Sequence, residues 1–127
     1  MKKTGILNGP VNARLSTLGH GHLVMITDCG MPLPDSAAVV DLALVKGMPR
    51  FVDVLRAVLA DVEVEGSIIA SEASATAVED AVRGEGLAPA IVSHEELKEL
   101  LAEARLIIRT GEATPFANVA LRCGVTF

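Results

Sequence analysis

His20 and His22 stand on either side of Gly21 in the stretch Leu18-Gly-His-Gly-His-Leu23, and Asp28 follows the apolar run Leu23–Thr27. Imidazole exchanges protons near neutral pH, so these residues suit general acid/base chemistry. An H-x-H pair with a carboxylate also has the makings of a zinc site, with His94 as a further ligand. His94 lies four residues before Lys98, so on a helix the two share a face and can converge on one polar ligand. In the segment Arg109-Thr-Gly-Glu-Ala-Thr-Pro-Phe-Ala-Asn118, extended geometry puts Phe116 and Asn118 on one side. A ring beside an amide makes a platform for a sugar; equally, Phe116 can be core and Asn118 a turn residue. Neither a serine nucleophile elbow nor a phosphate-cradling glycine loop is present. Two chemistries remain: metal-assisted hydrolysis built on His20, His22, His94 and Asp28, and metal-free proton transfer on a polyhydroxylated small molecule.

The elements that must position these residues alternate along the chain. Asn12 is able to cap a short helix that ends at Gly19, where a left-handed residue fits. Leu23–Thr27 reads as a buried strand, and Pro32 and Pro34 forbid its continuation. Val39–Val45 reads as a second strand. Pro49 opens a helix whose Phe51, Val52, Leu55, Val58 and Leu59 recur at helical spacing. Strand Ser67–Ala70, helix Ala75–Val82, the breaker Gly84-Glu-Gly86 and strand Ala88–Val92 follow. Ser93-His-Glu-Glu96 has the form of a capping box and opens a helix through about Glu103. Leu106–Arg109 and Asn118–Arg122 close the series as strands. This order predicts an α/β fold of three layers, α/β/α, with a mostly parallel sheet of six strands and an antiparallel last strand.

Ligands of open parallel sheets collect beyond the carboxyl ends of strands, which is where Asp28 and His94 fall. His20 precedes its strand. It and Asp28 therefore belong to opposite ends of Leu23–Thr27, and only an oligomer, laying one subunit's loop over another's strand ends, would unite them. Composition favours such an assembly. The chain has 127 residues, is 50% hydrophobic, and has no Trp or Tyr and three Phe, with a mean hydropathy of +0.46. That is one domain, 1–127, with more apolar surface than its interior needs. A net charge of −5 with scattered basic residues argues against nucleic acid. No uncharged apolar run reaches the ~18 residues that cross a bilayer. Two cysteines, Cys29 and Cys123, form no C-x-x-C pair, which suits free thiols in the cytoplasm.

Met1-Lys-Lys-Thr-Gly-Ile-Leu-Asn8, Leu18-Gly-His20, Asp28-x-Gly-x-Pro-x-Pro34, Val40-Asp-Leu-Ala-Leu44, Lys46-Gly-x-Pro49, Ser93-His-Glu-Glu-Leu-Lys98 and Arg109-Thr-Gly-Glu-x-Thr-Pro-Phe-Ala-Asn118 together resemble the D-ribose pyranase family. That family is related to the L-fucose mutarotases. The match runs in order from Met1 to Phe127 and is least distinctive between about Val62 and Ala88. The resemblance implies interconversion of the pyranose and furanose forms of D-ribose, without cofactor or metal, feeding ribose uptake and phosphorylation. It implies His20 as the acid/base, with Asp28, His94, Lys98, Phe116 and Asn118 around the sugar. It also implies a homo-oligomer, a decamer of two pentameric rings, with active sites between subunits. Two positions depart from the family pattern. Phe116 replaces a Tyr, so a hydroxyl is missing while the flat ring remains. His22 replaces an acid two residues after the catalytic histidine, which bears on the orientation of His20. The readings to set beside this one are mutarotation of fucose or a related sugar, and a non-catalytic sugar-binding subunit.

Overall fold

A computed structural model describes all residues, Met1–Phe127. Its centre is one six-stranded sheet in the order β2-β5-β1-β6-β3-β4, comprising β1 (Leu23–Thr27), β2 (Val39–Asp41), β3 (Val64–Ala70), β4 (Ala90–Val92), β5 (Leu106–Arg109) and β6 (Val119–Cys123). All neighbouring pairs are parallel except those of β6, which runs antiparallel to both β1 and β3. Parallel strands need crossovers, and helices α2 (Phe51–Asp61), α3 (Ala77–Gly84) and α4 (His94–Glu99) fall in the connections, while α1 (Gly9–Leu15) precedes β1.

Alternating side chains of the central strands feed two cores. Val24 and Ile26 of β1, Leu106 and Ile108 of β5, and Val119 and Leu121 of β6 pack with Val11 of α1, Leu55 and Val58 of α2, and Val78 and Val82 of α3. Leu23, Met25, Ile107 and Ala120 point the other way, onto Leu97 and Leu101. The result is the three-layer α/β/α arrangement with an antiparallel final strand that the sequence predicts.

Several boundaries differ from the sequence reading, each for a local reason. Helix α1 starts earlier, at Gly9, because the Asn8 side chain accepts the Val11 N–H at 2.9 Å and Pro10 sits in the first turn. Asn12 is therefore inside the helix, and its amide donates to the Ile6 carbonyl at 2.6 Å. The left-handed residue of the following loop is Gly21, at φ +78°, rather than Gly19. Strand β2 stops at Asp41 rather than Val45, because the Asp41 carboxylate accepts the Ala43 N–H at 2.9 Å and turns the chain out of the sheet. Thr76 caps α3, which begins at Ala77. The capping box forms as expected, with Ser93 and Glu96 bonding reciprocally across the start of α4. The last strand begins at Val119, because the Asn118 side chain has another task.

Candidate active site

Asn118 is fully buried, and it binds Asp28 twice across the β1–β6 pairing. Its Oδ1 accepts the Asp28 backbone N–H at 2.9 Å, and its Nδ2 donates to Asp28 Oδ2 at 3.0 Å. The remaining carboxylate oxygen, Oδ1, accepts the Gly30 N–H at 2.9 Å. Asp28 is itself only 9% exposed. A carboxylate so far from water is held in place only by such donors, and they fix its rotamer as it leaves β1.

Asp28 opens into a cavity of about 370 Å³ at the carboxyl edge of the parallel strands. Met31, Lys46, His94, Glu112 and Phe116 are among its other lining residues, and the volume lies near the small end of the ~300–1,000 Å³ common for small-molecule sites. His94 is the first residue of α4, and its ring meets Phe116 edge-to-face, with centroids 5.1 Å apart and an interplanar angle of 80°. The Glu72 carboxylate accepts the His94 backbone N–H at 3.1 Å. A hydrogen bond from the Ser71 hydroxyl, with this N–H, holds the Glu72 carboxyl below its usual range. Phe116 adopts φ +63°, a left-handed conformation that costs a residue with a Cβ roughly 1–2 kcal/mol. That strain turns the ring toward His94. His94 Nδ1 and Thr27 Oγ1 are the two buried side-chain polar atoms without a hydrogen-bond partner, and both belong to residues at this edge.

Glu112, absent from the sequence-derived candidates, joins the wall to the frame. Its Oε2 accepts the Phe51 N–H at the start of α2, at 3.2 Å, and its Oε1 accepts the Thr114 hydroxyl at 2.8 Å. Burial alone would raise this carboxyl, but the Thr114 hydroxyl and the N–H donors outweigh it and lower the pKa. Lys46, part of the Lys46-Gly-x-Pro49 motif, is a second lining residue outside the sequence-derived site. It reaches the cavity from a loop that packs on Gly111, where a Cβ would clash with the Met48 carbonyl oxygen. The Gly-Glu-x-Thr pattern after β5 is the sequence signal for Glu112, and Lys46-Gly-x-Pro49 the one for Lys46. Lys98 lies one turn beyond His94, ion-paired to Glu95 at 2.6 Å and outside the cavity lining.

His20 lies elsewhere. It precedes β1, so the length of Leu23–Thr27, roughly 17 Å of extended chain, separates its loop from Asp28. Its Nε2 is 2.9 Å from Glu65 Oε2, and the side chain is 61% exposed. His22 faces back into the same loop, where its Nδ1 accepts the Gly19 N–H at 2.9 Å. The zinc set suggested by H-x-H with Asp28 and His94 therefore does not converge within one chain.

The RbsD / FucU transport protein family matches residues 1–126. The chain belongs to that family. Within the RbsD/FucU family it is 53% identical to a D-ribose pyranase of Streptomyces coelicolor, with the whole of both chains covered. It is 44% identical to a D-ribose pyranase of Geobacillus kaustophilus, covering all of this chain and 96% of the relative. Bacillus subtilis RbsD, solved in complex with D-ribose, superposes with a TM-score of 0.93 at 38% identity over the whole of both chains. A fucose mutarotase of Streptococcus pneumoniae shares the RbsD/FucU fold, with a TM-score of 0.80 at 17% identity and full coverage of both chains.

Proposed function

We propose that this chain is a D-ribose pyranase, an isomerase that interconverts the pyranose and furanose forms of D-ribose. The observation that carries the reading is the buried Asp28–Asn118 pair, facing a cavity walled by His94 and Phe116, in a chain 53% identical from end to end to a D-ribose pyranase. The reaction is proton transfer alone. The anomeric hydroxyl loses a proton as the ring oxygen gains one, the bond from the anomeric carbon to the ring oxygen breaks, and the open aldehyde forms. The hydroxyl of the fourth carbon then adds to that aldehyde and its proton passes to the carbonyl oxygen, closing the furanose. Asp28 accepts sugar hydroxyls from a fixed position, and Phe116 offers an apolar face for carbon. His94 and Asn118 complete the polar edge, Asn118 by holding Asp28, and Lys98 adds charge beside it. Fixing the open chain in one conformation lowers the entropy cost of reclosure.

In this reading His20 is the acid/base, supplied to the cavity by a second copy of the chain. Two observations support an assembly with shared sites, a decamer of two pentameric rings in our reading. His20 and Asp28 are at opposite edges of the sheet, and Leu44, Val45 and Met48, on the loop that carries Lys46, are 74%, 60% and 55% exposed. Apolar side chains clustered in this way beside a cavity mark an interaction surface. The cytoplasm is the compartment this reading implies, with no helix long and apolar enough to cross a membrane and two free cysteines. The chain works as one domain, 1–127, since every strand joins a single sheet.

Magnetisation-exchange NMR on ribose at equilibrium tests the activity. We expect faster pyranose-to-furanose exchange with the protein and loss of that acceleration in His20→Ala and in Asp28→Asn. Co-assembly of these two variants should restore part of the activity, because some interfaces then pair an intact His20 with an intact Asp28. Acceleration of α-to-β exchange alone would make the chain a mutarotase, and binding without any acceleration a non-catalytic sugar-binding subunit.

A further inference from the structure

The reading above needs His20 to present one ring nitrogen as a base, and the loop that carries it is exposed. Backbone bonds tie that loop to β6: Gly21 N–H donates to the Cys123 carbonyl at 2.8 Å, and Cys123 N–H to the His22 carbonyl at 2.9 Å. Arg122 adds a side-chain bond to the Gly21 carbonyl at 3.1 Å. These bonds place the His20 backbone but leave its ring free to turn. The neighbouring histidine does not hold it, since His22 is engaged with the Gly19 N–H. The group within reach is the Glu65 carboxylate, 2.9 Å from His20 Nε2.

Glu65 owes its position to an irregularity in the sheet. In the β3–β6 pairing Val64 is opposite Cys123 and Gly66 is opposite Arg122, so the register slips and Glu65 has no partner of its own. Such a bulge interrupts the ladder and re-aims a side chain, and here the side chain reaches His20. An exposed ion pair contributes only ~0.2–1 kcal/mol, so stability is a weak reason for this arrangement. A carboxylate has no proton to donate, so Nε2 must carry the hydrogen of this bond, and in the neutral ring Nδ1 is left with its lone pair.

We propose that Glu65 is the positioning residue of His20: by accepting the Nε2–H it fixes the ring's tautomer and rotation, so that Nδ1 is the nitrogen offered to the sugar. The inference rests on the acid/base role assigned to His20. Glu65 does not line the cavity and touches no sugar hydroxyl in this scheme, so it acts on turnover and not on ribose affinity.

Nitrogen-15 NMR of histidine-labelled, full-length protein, combined with ribose exchange kinetics, tests this. In the wild type His20 should show a protonated Nε2 and an unprotonated Nδ1. In Glu65→Ala the two tautomers should average, and kcat should fall on the order of tenfold or more, within the ~10²–10⁴ that acid/base catalysis contributes. KM for ribose and the assembled mass should not change. Glu65→Gln, whose amide oxygen can take the same bond, should recover the wild-type tautomer and much of the rate. Wild-type kcat in Glu65→Ala, a protonated Nδ1 in the wild type, or a loss traced to a raised KM or to dissociation overturns the proposal. His20→Ala separates the two levels. If it is inactive while Glu65→Ala is normal, only the role of Glu65 fails; if it retains full turnover, the acid/base reading fails and the role of Glu65 with it.

Discussion

The two edges of the sheet carry ionisable groups of the same kinds, a carboxylate and a histidine, under opposite physical regimes. At the carboxyl edge Asp28 is 9% exposed and held by one fixed donor on each carboxylate oxygen, and behind it stands a wholly buried Asn118. At the amino edge His20 and Glu65 are 61% and 42% exposed and meet by a single bond. The first edge is part of the core. Its geometry is over-determined, and for that reason it can hold a strained residue such as Phe116. The second is a surface device whose backbone is tied down and whose side chains are not. A group that grips a sugar profits from rigidity. One that, in the proposed reading, serves another subunit's site must remain on the outside until the subunits meet.

This contrast can be broken at either edge. The largest effect belongs to His20→Ala, which should lower ribose ring exchange by ~10²–10⁴ while thermal denaturation of the protein stays close to that of the wild type. A large drop in melting temperature would show that the amino edge is structural after all. Asn118→Ala should do the reverse of a pure activity defect. It removes one bond to a carboxylate and strands a buried N–H, a loss of about 2–3 kcal/mol in a denaturant titration, with ribose binding weakened as Asp28 loses its rotamer.

Glu112→Gln sharpens the comparison by titration. The folded carboxyl is lowered from 4.5, so the stabilisation it supplies is present above the unfolded value and disappears as pH falls through the folded one. At pH 7 the amide should cost about 0.5–1 kcal/mol, the worth of a negative charge at a helix N-terminus. In urea melts the gap between the wild type and the variant should narrow as pH falls through the unfolded value and close once it is below the lowered folded one. A difference that persists in acid would mean that packing against Phe51 and Thr114, and not charge, holds the corner. The smallest effect is expected of His22→Ala. Losing the acceptor of the exposed Gly19 N–H should cost about 0.5 kcal/mol, with a modest fall in turnover as the loop loosens. A collapse of activity equal to that of His20→Ala would place His22 in the chemistry.

Much of the architecture was legible without coordinates. Leu23–Thr27 and Leu106–Arg109 coincide with β1 and β5 because a short apolar run between breakers has no better use than a strand buried on both faces. Ser93 and Glu96 announce α4 because a capping box is a bond between residues three apart. The errors share a cause. Asn8 and Asn12 both suit a cap, and Pro10 decides between them. The end of β2 differs because the apolar run Leu42–Val45 reads as strand, whereas the Asp41 side chain diverts the chain into an exposed turn.

Residue types and local spacing thus determined, by themselves, the alternating order of the elements, with it the expectation of a mostly parallel sheet, and the edge at which Asp28 and His94 would gather. The caps, turns and apolar runs behind that order follow from interactions within one turn of helix or one strand. Only the tertiary structure decided who partners whom. Asn118 closes on Asp28 across 90 positions of sequence, Glu112 caps α2 across 61, and Glu65 reaches His20 across 45. Those meetings depend on the strand order β2-β5-β1-β6-β3-β4, which sets β6 between β1 and β3. The physical reason is that a carboxylate, an amide or an imidazole bonds whatever lies within 3 Å or so, and only long-range packing of the sheet brings such groups that close.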